Sequence, residues 1–347
     1  MADSTDRIKQ LVADGVRDQV YPGAVWAIGD AAGMKAGGTA GVLDPAEPGT
    51  PMRPDTVFDV ASLTKILAVW STIGALFEDG ALPLDEPLEG FWTEVTGHPL
   101  GQVTARQLLT HTAGVPLRAQ LKNLYGTDPA AIRAGVLREA LHRPPGEAVE
   151  YTDRAALILG YLAEHLSGQS LDQLAHTRIW QPLGMTHTRF GPLPADPATR
   201  CAPTELDEDT GRHLKGTAHD FSARLLGGVC GIAGTFSLLD DLTRFLRYML
   251  DPTTATAAAG FGPNWVEESL TVQTGTLEPV RGLFWHPAPG TDPADRTYVH
   301  YGFTGTGMWL SPKNGTWAVL LTNKLYYTRD REPLTRIRNA FRELAFG

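Results

Sequence analysis

The chain has 347 residues, 42% of them hydrophobic and 20% charged, with a formal net charge of −9. That length allows a large core in one domain or two closely packed ones. An acidic chain with no Lys/Arg stripe repels phosphate backbones, so nucleic acid is not an expected partner.

In chain order, Ile8, Leu11, Val12 and Val16 give residues 5–20 helical spacing. Pro22-Gly23 breaks the run, and 24–28 reads as a short buried strand. Gly, Pro and Ala dominate 29–54, which reads as turns between short strands. Residues 63–78 form a long apolar segment, a buried helix stopped by Gly80 and Pro83. From about 81 to 217 the signals are helices separated by Pro and Gly, clearest at 104–110, 129–141, 154–166 and 171–180. Beyond Gly228 a helix is expected at 238–250, then strands at 281–286, 297–300, 307–310 and 316–322. Asn314-Gly315 is a hairpin signal between the last two strands, and 335–346 closes the chain as an amphipathic helix.

Strands thus lie at both ends and helices in the middle. The expected fold class is α/β (α+β): one antiparallel sheet flanked by helices, plus a helical lobe. Residues 1–60 and 225–347 would form the α/β domain and 61–224 the helical one, with the site in the cleft between them. Residues 1–10 are polar and charged, without the apolar run of a signal peptide, and no stretch of about 18 apolar residues occurs. A cytoplasmic protein without a membrane span is expected. Cys201 and Cys230 then read as two reduced, packed thiols.

The sharpest chemical motif is Ser62-Leu63-Thr64-Lys65. Positions i and i+3 share one helix face. A serine opening a helix has backbone N–H groups beside it that can hold an oxyanion. A lysine buried one turn on loses solvation, so its neutral form becomes accessible as the base for Ser62. Lys65 lies at the start of the apolar run 66–70, where a lysine is costly without a purpose. Tyr151-Thr152-Asp153 precedes a helix. Tyr151 near Lys65 could exist partly as phenolate and relay protons, while Asp153 could orient Lys65 or cap the helix. His300-Tyr301-Gly302-Phe303 lies on a strand followed by glycines, and the Phe303 N–H is a second candidate oxyanion donor beside that of Ser62.

Six runs in order carry a family resemblance: VFDVASLTK (57–65), LLTHTAG (108–114), PGEAVEYTD (145–153), Leu183-Gly184-Met185, GGVCGIAGTFSLLDD (227–241) and HYGFTGTG (300–307). Together they resemble the serine β-lactamase-related family, which includes class C β-lactamases, penicillin-binding D,D-peptidases, esterases and acyltransferases. The resemblance spans about 21–323. It implies Ser62 as the acylated nucleophile, Lys65 as its base, Tyr151 as the partner acid/base, and His300-Tyr301-Gly302 as the strand motif that is usually Lys-Thr-Gly. It also implies the β-lactamase/transpeptidase-like sheet with a helical domain. Asp153 departs from the usual Asn, since an ionised Asp accepts but does not donate. His300 departs from the usual Lys, so a permanent charge for a substrate carboxylate is missing there. Both departures move the expectation from β-lactam or D-peptide hydrolysis toward ester or amide acyl transfer.

His111 in the LLTHTAG run and His219-Asp220 read as groups that anchor loops near the site. There is no G-x-S-x-G, no H-E-x-x-H, no zinc spacing of cysteines and no phosphate-binding glycine loop, so neither a metal nor a cofactor is expected. Trp92, Tyr125, Phe221, Trp285 and Trp309 are candidates for an acyl pocket, with core packing the alternative. The expected partner is a small-molecule or peptide acyl substrate. The rivals are a D-amino-acid peptidase or β-lactamase, and a non-catalytic ligand-binding protein of the same fold. Oligomeric state has no signal in the sequence.

Overall fold

A computed structural model describes residues 2–118 and 120–347. The strands are β1 (Gly23–Asp30), β2 (Gly33–Gly41), β3 (Phe58–Asp59), β4 (Arg189–Phe190), β5 (Leu206–Asp207), β6 (Arg212–His213), β7 (Thr235–Ser237), β8 (His286–Pro287), β9 (Tyr298–Tyr301), β10 (Gly307–Ser311) and β11 (Thr316–Thr322). Six of them form one antiparallel sheet in the order β2-β1-β11-β10-β9-β8. The two chain ends are therefore partners, as the sequence suggested. Ala27 lies opposite Val319, and Val319 opposite Met308.

Both faces of the central strands β1, β11 and β10 are buried, whereas the edge strand β2 is half-buried to exposed. Val25, Ala27, Met308, Leu310, Trp317, Val319 and Leu321 point into the main core. Their alternates Ala24, Trp26, Trp309, Ala318 and Leu320 face a second core with Ile8, Val12, Leu334 and Phe341. That second core lies under α1 (Ala2–Arg17) and the C-terminal helix Glu332–Phe346, which pack on each other. Two covered faces explain why these strands read as continuous apolar runs.

The remaining helices are α2 (Ser71–Glu78), α3 (Ala105–Leu109), α4 (Leu121–Tyr125), α5 (Pro129–Leu137), α6 (Asp153–Ser167), α7 (Leu171–Ala175), α8 (Ala195–Thr199), α9 (Phe221–Leu225), α10 (Leu239–Leu250) and α11 (Pro263–Ser269), so the C-terminal helix is α12. None is long and apolar enough to cross a membrane. Strands β3, β7 and β4 form a small sheet beneath the turn that carries Ser62. Cys201 and Cys230 are buried free thiols, as expected.

Three expectations need correction. The single helix at 63–78 is a composite: a 3₁₀ turn at Ala61–Leu63, a π-helical stretch at Lys65–Trp70, then α2. Side chains take up the carbonyls of the wide turn. Ser71 Oγ and the indole of Trp180 donate to Leu67 O at 2.8 and 2.9 Å, and Thr72 Oγ1 donates to Ala68 O at 2.6 Å. Helix α5 stops at Leu137 rather than 141, because the Arg138 amide closes a tighter turn on Gly135 O. Residues 281–285 form no strand, and β8 holds only His286–Pro287. The backbone turns at Phe284, with φ of 61°. The amides of Leu283 and Phe284 donate to Ser269 O and Leu109 O, outside the sheet.

Trp70 is the hub of the main core. Its indole donates to Ser269 Oγ at 2.8 Å, and its rings meet Phe245, Phe261, Trp265 and Trp285 at centroid distances of 5.0–6.2 Å. Trp70→Ala is expected to destabilise the fold by about 3–5 kcal/mol, read as a lower urea midpoint.

Candidate active site

Ser62 occupies the 3₁₀ turn that follows β3. The residue before it, Ala61, has φ of 49°, a left-handed conformation that a non-glycine residue adopts only when held. The buried carboxylate of Asp59 holds it, accepting from the Ala61 amide at 2.9 Å and the His219 amide at 2.7 Å. Thr304 and Thr306, beyond β9, donate to Asp59 O and Val60 O at 2.6 and 3.1 Å. The Ser62 turn is thus bound to the end of the sheet that carries His300-Tyr301-Gly302.

Lys65 opens the π-helical stretch, and its side chain is fully buried. Its Nζ donates to Ser62 Oγ at 3.0 Å and to Ile232 O at 2.8 Å, and pairs with Asp153 Oδ1 at 2.8 Å. Three acceptors match the three N–H donors of an ammonium and leave no lone pair. Burial pushes Lys65 down, but the charge of Asp153 and then of Tyr151 outweighs it, so the group lies above its ordinary value. The expected neutral lysine is therefore corrected: its carboxylate partner holds it charged. Asp153 is free for this role because Thr152 caps α6, accepting from the Arg154 amide at 3.1 Å. Arg154 pairs with Glu139 at 2.8 Å, and Glu139 also accepts from Tyr125, which ties the start of α6 to the chain just beyond α5 and to the end of α4.

Tyr151 is 42% exposed, and basic groups lie along the part of its ring that faces the protein. Lys65 Nζ lies 5.5 Å and Arg281 Cζ 5.6 Å from its centroid. The rings of His111 and His300 lie at 4.7 and 6.5 Å. His111 Nδ1 accepts from the Thr152 amide at 3.4 Å, and His111 O accepts from the Glu150 amide at 2.8 Å, the anchoring role expected of it. Asp220 caps α9, accepting from the Ala223 amide at 2.8 Å.

His300 pairs across the sheet with Met308, so it points to the inner face, toward Tyr151, while Tyr301 points outward under Arg338 of α12. Among the described residues neither ring nitrogen of His300 finds a well-formed hydrogen bond. Burial first, then Lys65, His286 and Arg281, hold His300 far below its ordinary value, so it is a neutral imidazole.

Ser62, Tyr151, His300, Tyr301, Gly302 and Phe303 line one cavity of about 380 Å³. The sequence reading placed no permanent positive charge at position 300, and His300 is neutral there, but other cations stand in the cavity. Arg281, Lys324, Arg331 and Arg338 line the same cavity, and no carboxylate does. Burial and then the charges of Arg338 and Arg331 lower Lys324 to about 8. A neighbouring cavity of about 440 Å³ shares Ser62, Tyr151 and Phe303 and adds Asp153, Asp220 and Phe221. All eight residues singled out in the sequence therefore converge. Of the aromatic candidates, Phe221 lines the site, whereas Trp92, Trp285 and Trp309 are core and Tyr125 serves the Glu139 network. The sequence reading missed Asp59, Arg281 and Arg338. Asp59 lay inside the VFDVASLTK run, but no periodicity marks Arg281 or Arg338.

Comparison with known proteins agrees with this fold. The Beta-lactamase family model matches residues 8–341. The chain belongs to that family, whose fold it has. A protein of Escherichia coli (strain K12) named "Putative D-alanyl-D-alanine carboxypeptidase" is 31% identical over 306 residues, covering 78% of this chain and 69% of that one. A mutant simvastatin synthase from Aspergillus terreus superposes with a TM-score of 0.77 at 20% identity, covering 100% of this chain and 97% of that one. EstCE1, described as a hydrolase with promiscuous acyltransferase activity, superposes with a TM-score of 0.78 at 18% identity, covering 99% and 98%.

Gly302 has no room for a side chain. A Cβ there would lie 2.1 Å from Thr306 Oγ1 and 2.4 Å from Val60 O. Gly302→Ala is expected to lower stability by about 1–3 kcal/mol, measured by urea denaturation.

Proposed function

We propose that this protein is a serine acyl-transfer enzyme that forms an acyl-Ser62 intermediate from an ester or amide. The site would lie in the cleft between the sheet-bearing part, residues 1–60 and 225–347, and the helical part, 61–224. The observation that carries the reading is the Lys65 ammonium, whose donors end on Ser62 Oγ, Ile232 O and Asp153 Oδ1. A charged donor on Oγ stabilises the alkoxide that attack requires. It also leaves the Ser62 proton free to go to another group, and Tyr151 is the acid/base group beside it.

Ser62 Oγ then attacks the acyl carbonyl carbon as its proton passes to Tyr151. The oxyanion accepts from the Ser62 and Phe303 amides. The latter carries no backbone hydrogen bond among the described residues. The bond to the leaving group breaks, and Tyr151 returns its proton to the departing oxygen or nitrogen. Water, or an alcohol or amine acceptor, repeats the sequence in reverse: it gives its proton to Tyr151 and attacks, and Ser62 leaves and regains a proton. His300, a neutral imidazole on the inner face, shapes the wall beside Tyr151. Asp153 accepts only, which supports an ester-like substrate over one whose amide carbonyl needs a donor. The name of the Escherichia coli relative favours a second reading, a peptidase for D-alanyl peptides.

Ser62→Ala is expected to cut p-nitrophenyl ester turnover by ~10³-fold or more and to abolish the acyl adduct in intact-mass spectra. Retained turnover or a surviving adduct counts against Ser62. p-Nitrophenyl esters are expected to react faster than nitrocefin or D-alanyl-D-alanine peptides, and the reverse order selects the second reading. Asp153→Asn removes the strongest influence that raises Lys65. A cation whose raising partner is lost gives up its proton at lower pH, so the alkaline limb of kcat/KM is expected to move to lower pH. A limb that stays in place contradicts the role of the ion pair.

A further inference from the structure

Three of the cations that line the Ser62 cavity gather on its α12 side, and the reaction just described uses none of them. Lys324 follows β11 and is 2% exposed. Its Nζ donates to Thr328 O at 3.1 Å and Asp330 O at 2.9 Å, so one of the three N–H groups of its ammonium has no partner among the described residues. Arg331 directly precedes α12, and its guanidinium forms no ion pair or hydrogen bond among those residues. Lys324 Nζ and Arg331 Cζ lie 4.9 and 4.7 Å from the centre of one ring, that of Phe303. Arg338 donates to Gly302 O and Thr306 O, and its Nε is buried without a partner. The side-chain amide of Asn339, also on the cavity wall, is likewise unbonded.

The carboxylates nearby do not offset this charge. Glu205 pairs with Arg329 and Glu332 with Arg336. Asp330 accepts from the Glu332 amide and raises Lys324, against burial and three arginines that lower it. In the neighbouring cavity Asp153 pairs with Lys65, and Asp220 is matched by Arg224 on the same short helix. Lys324, Arg331 and Arg338 therefore face Asp330 alone, and Arg281 adds a further cation beside Tyr151. Like charges held together in a partly desolvated cavity are unfavourable until an anion joins them.

We propose that Lys324, Arg331 and Arg338 form a subsite for a phosphate monoester group carried by the substrate of Ser62, so that the enzyme acts on esters or amides of phosphorylated compounds. The inference rests on the acyl-transfer reading above. Three cations against one carboxylate leave a surplus that a phosphate monoester dianion neutralises and a single carboxylate does not. The free donors agree. The spare N–H of Lys324, the planar fork of Arg331, Arg338 Nε and the Asn339 amide exceed what a carboxylate can accept and suit the three terminal oxygens of a phosphate. Asp153 and Asp220, which would repel such a group, line the neighbouring cavity and not this one.

The test follows hydrolysis of p-nitrophenyl acetate by wild type, Arg331→Gln and Lys324→Met in the presence of hexyl phosphate, hexanoate or inorganic phosphate. Hexyl phosphate is expected to compete with the ester, with an inhibition constant ~10-fold or more below that of hexanoate, and the gap should narrow as salt is added. Arg331→Gln changes an exposed side chain and is expected to raise the constant for hexyl phosphate by ~10-fold or more. Lys324→Met should act in the same direction, and if it does not fold, Arg331→Gln decides. Equal inhibition by hexyl phosphate and hexanoate overturns the proposal, because the cations then serve any anion. A constant for hexyl phosphate that Arg331→Gln leaves unmoved overturns it too, since the phosphate then sits elsewhere. Inhibition by inorganic phosphate as strong as by hexyl phosphate assigns the cations to a free anion and not to substrate, and also overturns it. If wild type hydrolyses no ester, the Ser62 reading fails. Phosphorus NMR line broadening of hexyl phosphate then decides the subsite: broadening lost in Arg331→Gln supports it, and its absence in wild type overturns it.

Discussion

The site depends on one buried ammonium. Lys65 has no contact with water, so each of its three donors must end on an acceptor of the chain, and each acceptor belongs to a different part of the fold. Ser62 comes from the 3₁₀ turn after β3, Ile232 from the glycine-rich segment before β7, and Asp153 from the start of α6. Leaving any one unmade exposes a buried charge to a low-dielectric surround, which is far more unfavourable than the bond itself is favourable. The requirement therefore selects one relative placement of three segments. The wide π turn, the left-handed Ala61 and the Thr152 cap are the local distortions that satisfy it.

Much of this was legible. The pairing of β1 with β11 followed from apolar runs at both ends of the chain, and β9, β10 and the Asn314-Gly315 turn followed from strand and hairpin chemistry. Ser62, Lys65, Tyr151, Asp153 and His300 through Phe303 came from motifs, and they converge. The charge state of Lys65 was not legible. Burial and a partner act on it in opposite directions, and only the 2.8 Å distance to Asp153 decides which prevails. The capping role that Asp153 was equally suited for went to its neighbour Thr152, a choice between adjacent residues that pattern does not make.

The misread strand at 281–286 has the same origin. Its apolar residues suit a strand, but Leu283 and Phe284 give their amides to the helical side of the molecule. Tertiary bonding overrode the local preference, and that override places Arg281 beside Tyr151. Likewise, the net charge of −9 hides a cavity whose charged lining is wholly cationic. Composition averages over the surface, whereas a site is a local departure from that average.

Arg338 of α12 donates to Gly302 O and Thr306 O at 2.9 and 2.6 Å, so the last helix clamps the loop that carries the Phe303 amide. Strand β1 finds its partner β11 almost 300 residues later, and Asn323 bonds the Gly23 amide. During synthesis the serine emerges early, while the pieces that complete its surroundings emerge last. Assembly order thus leaves the surroundings of Ser62 incomplete until β11 and α12 have joined the sheet.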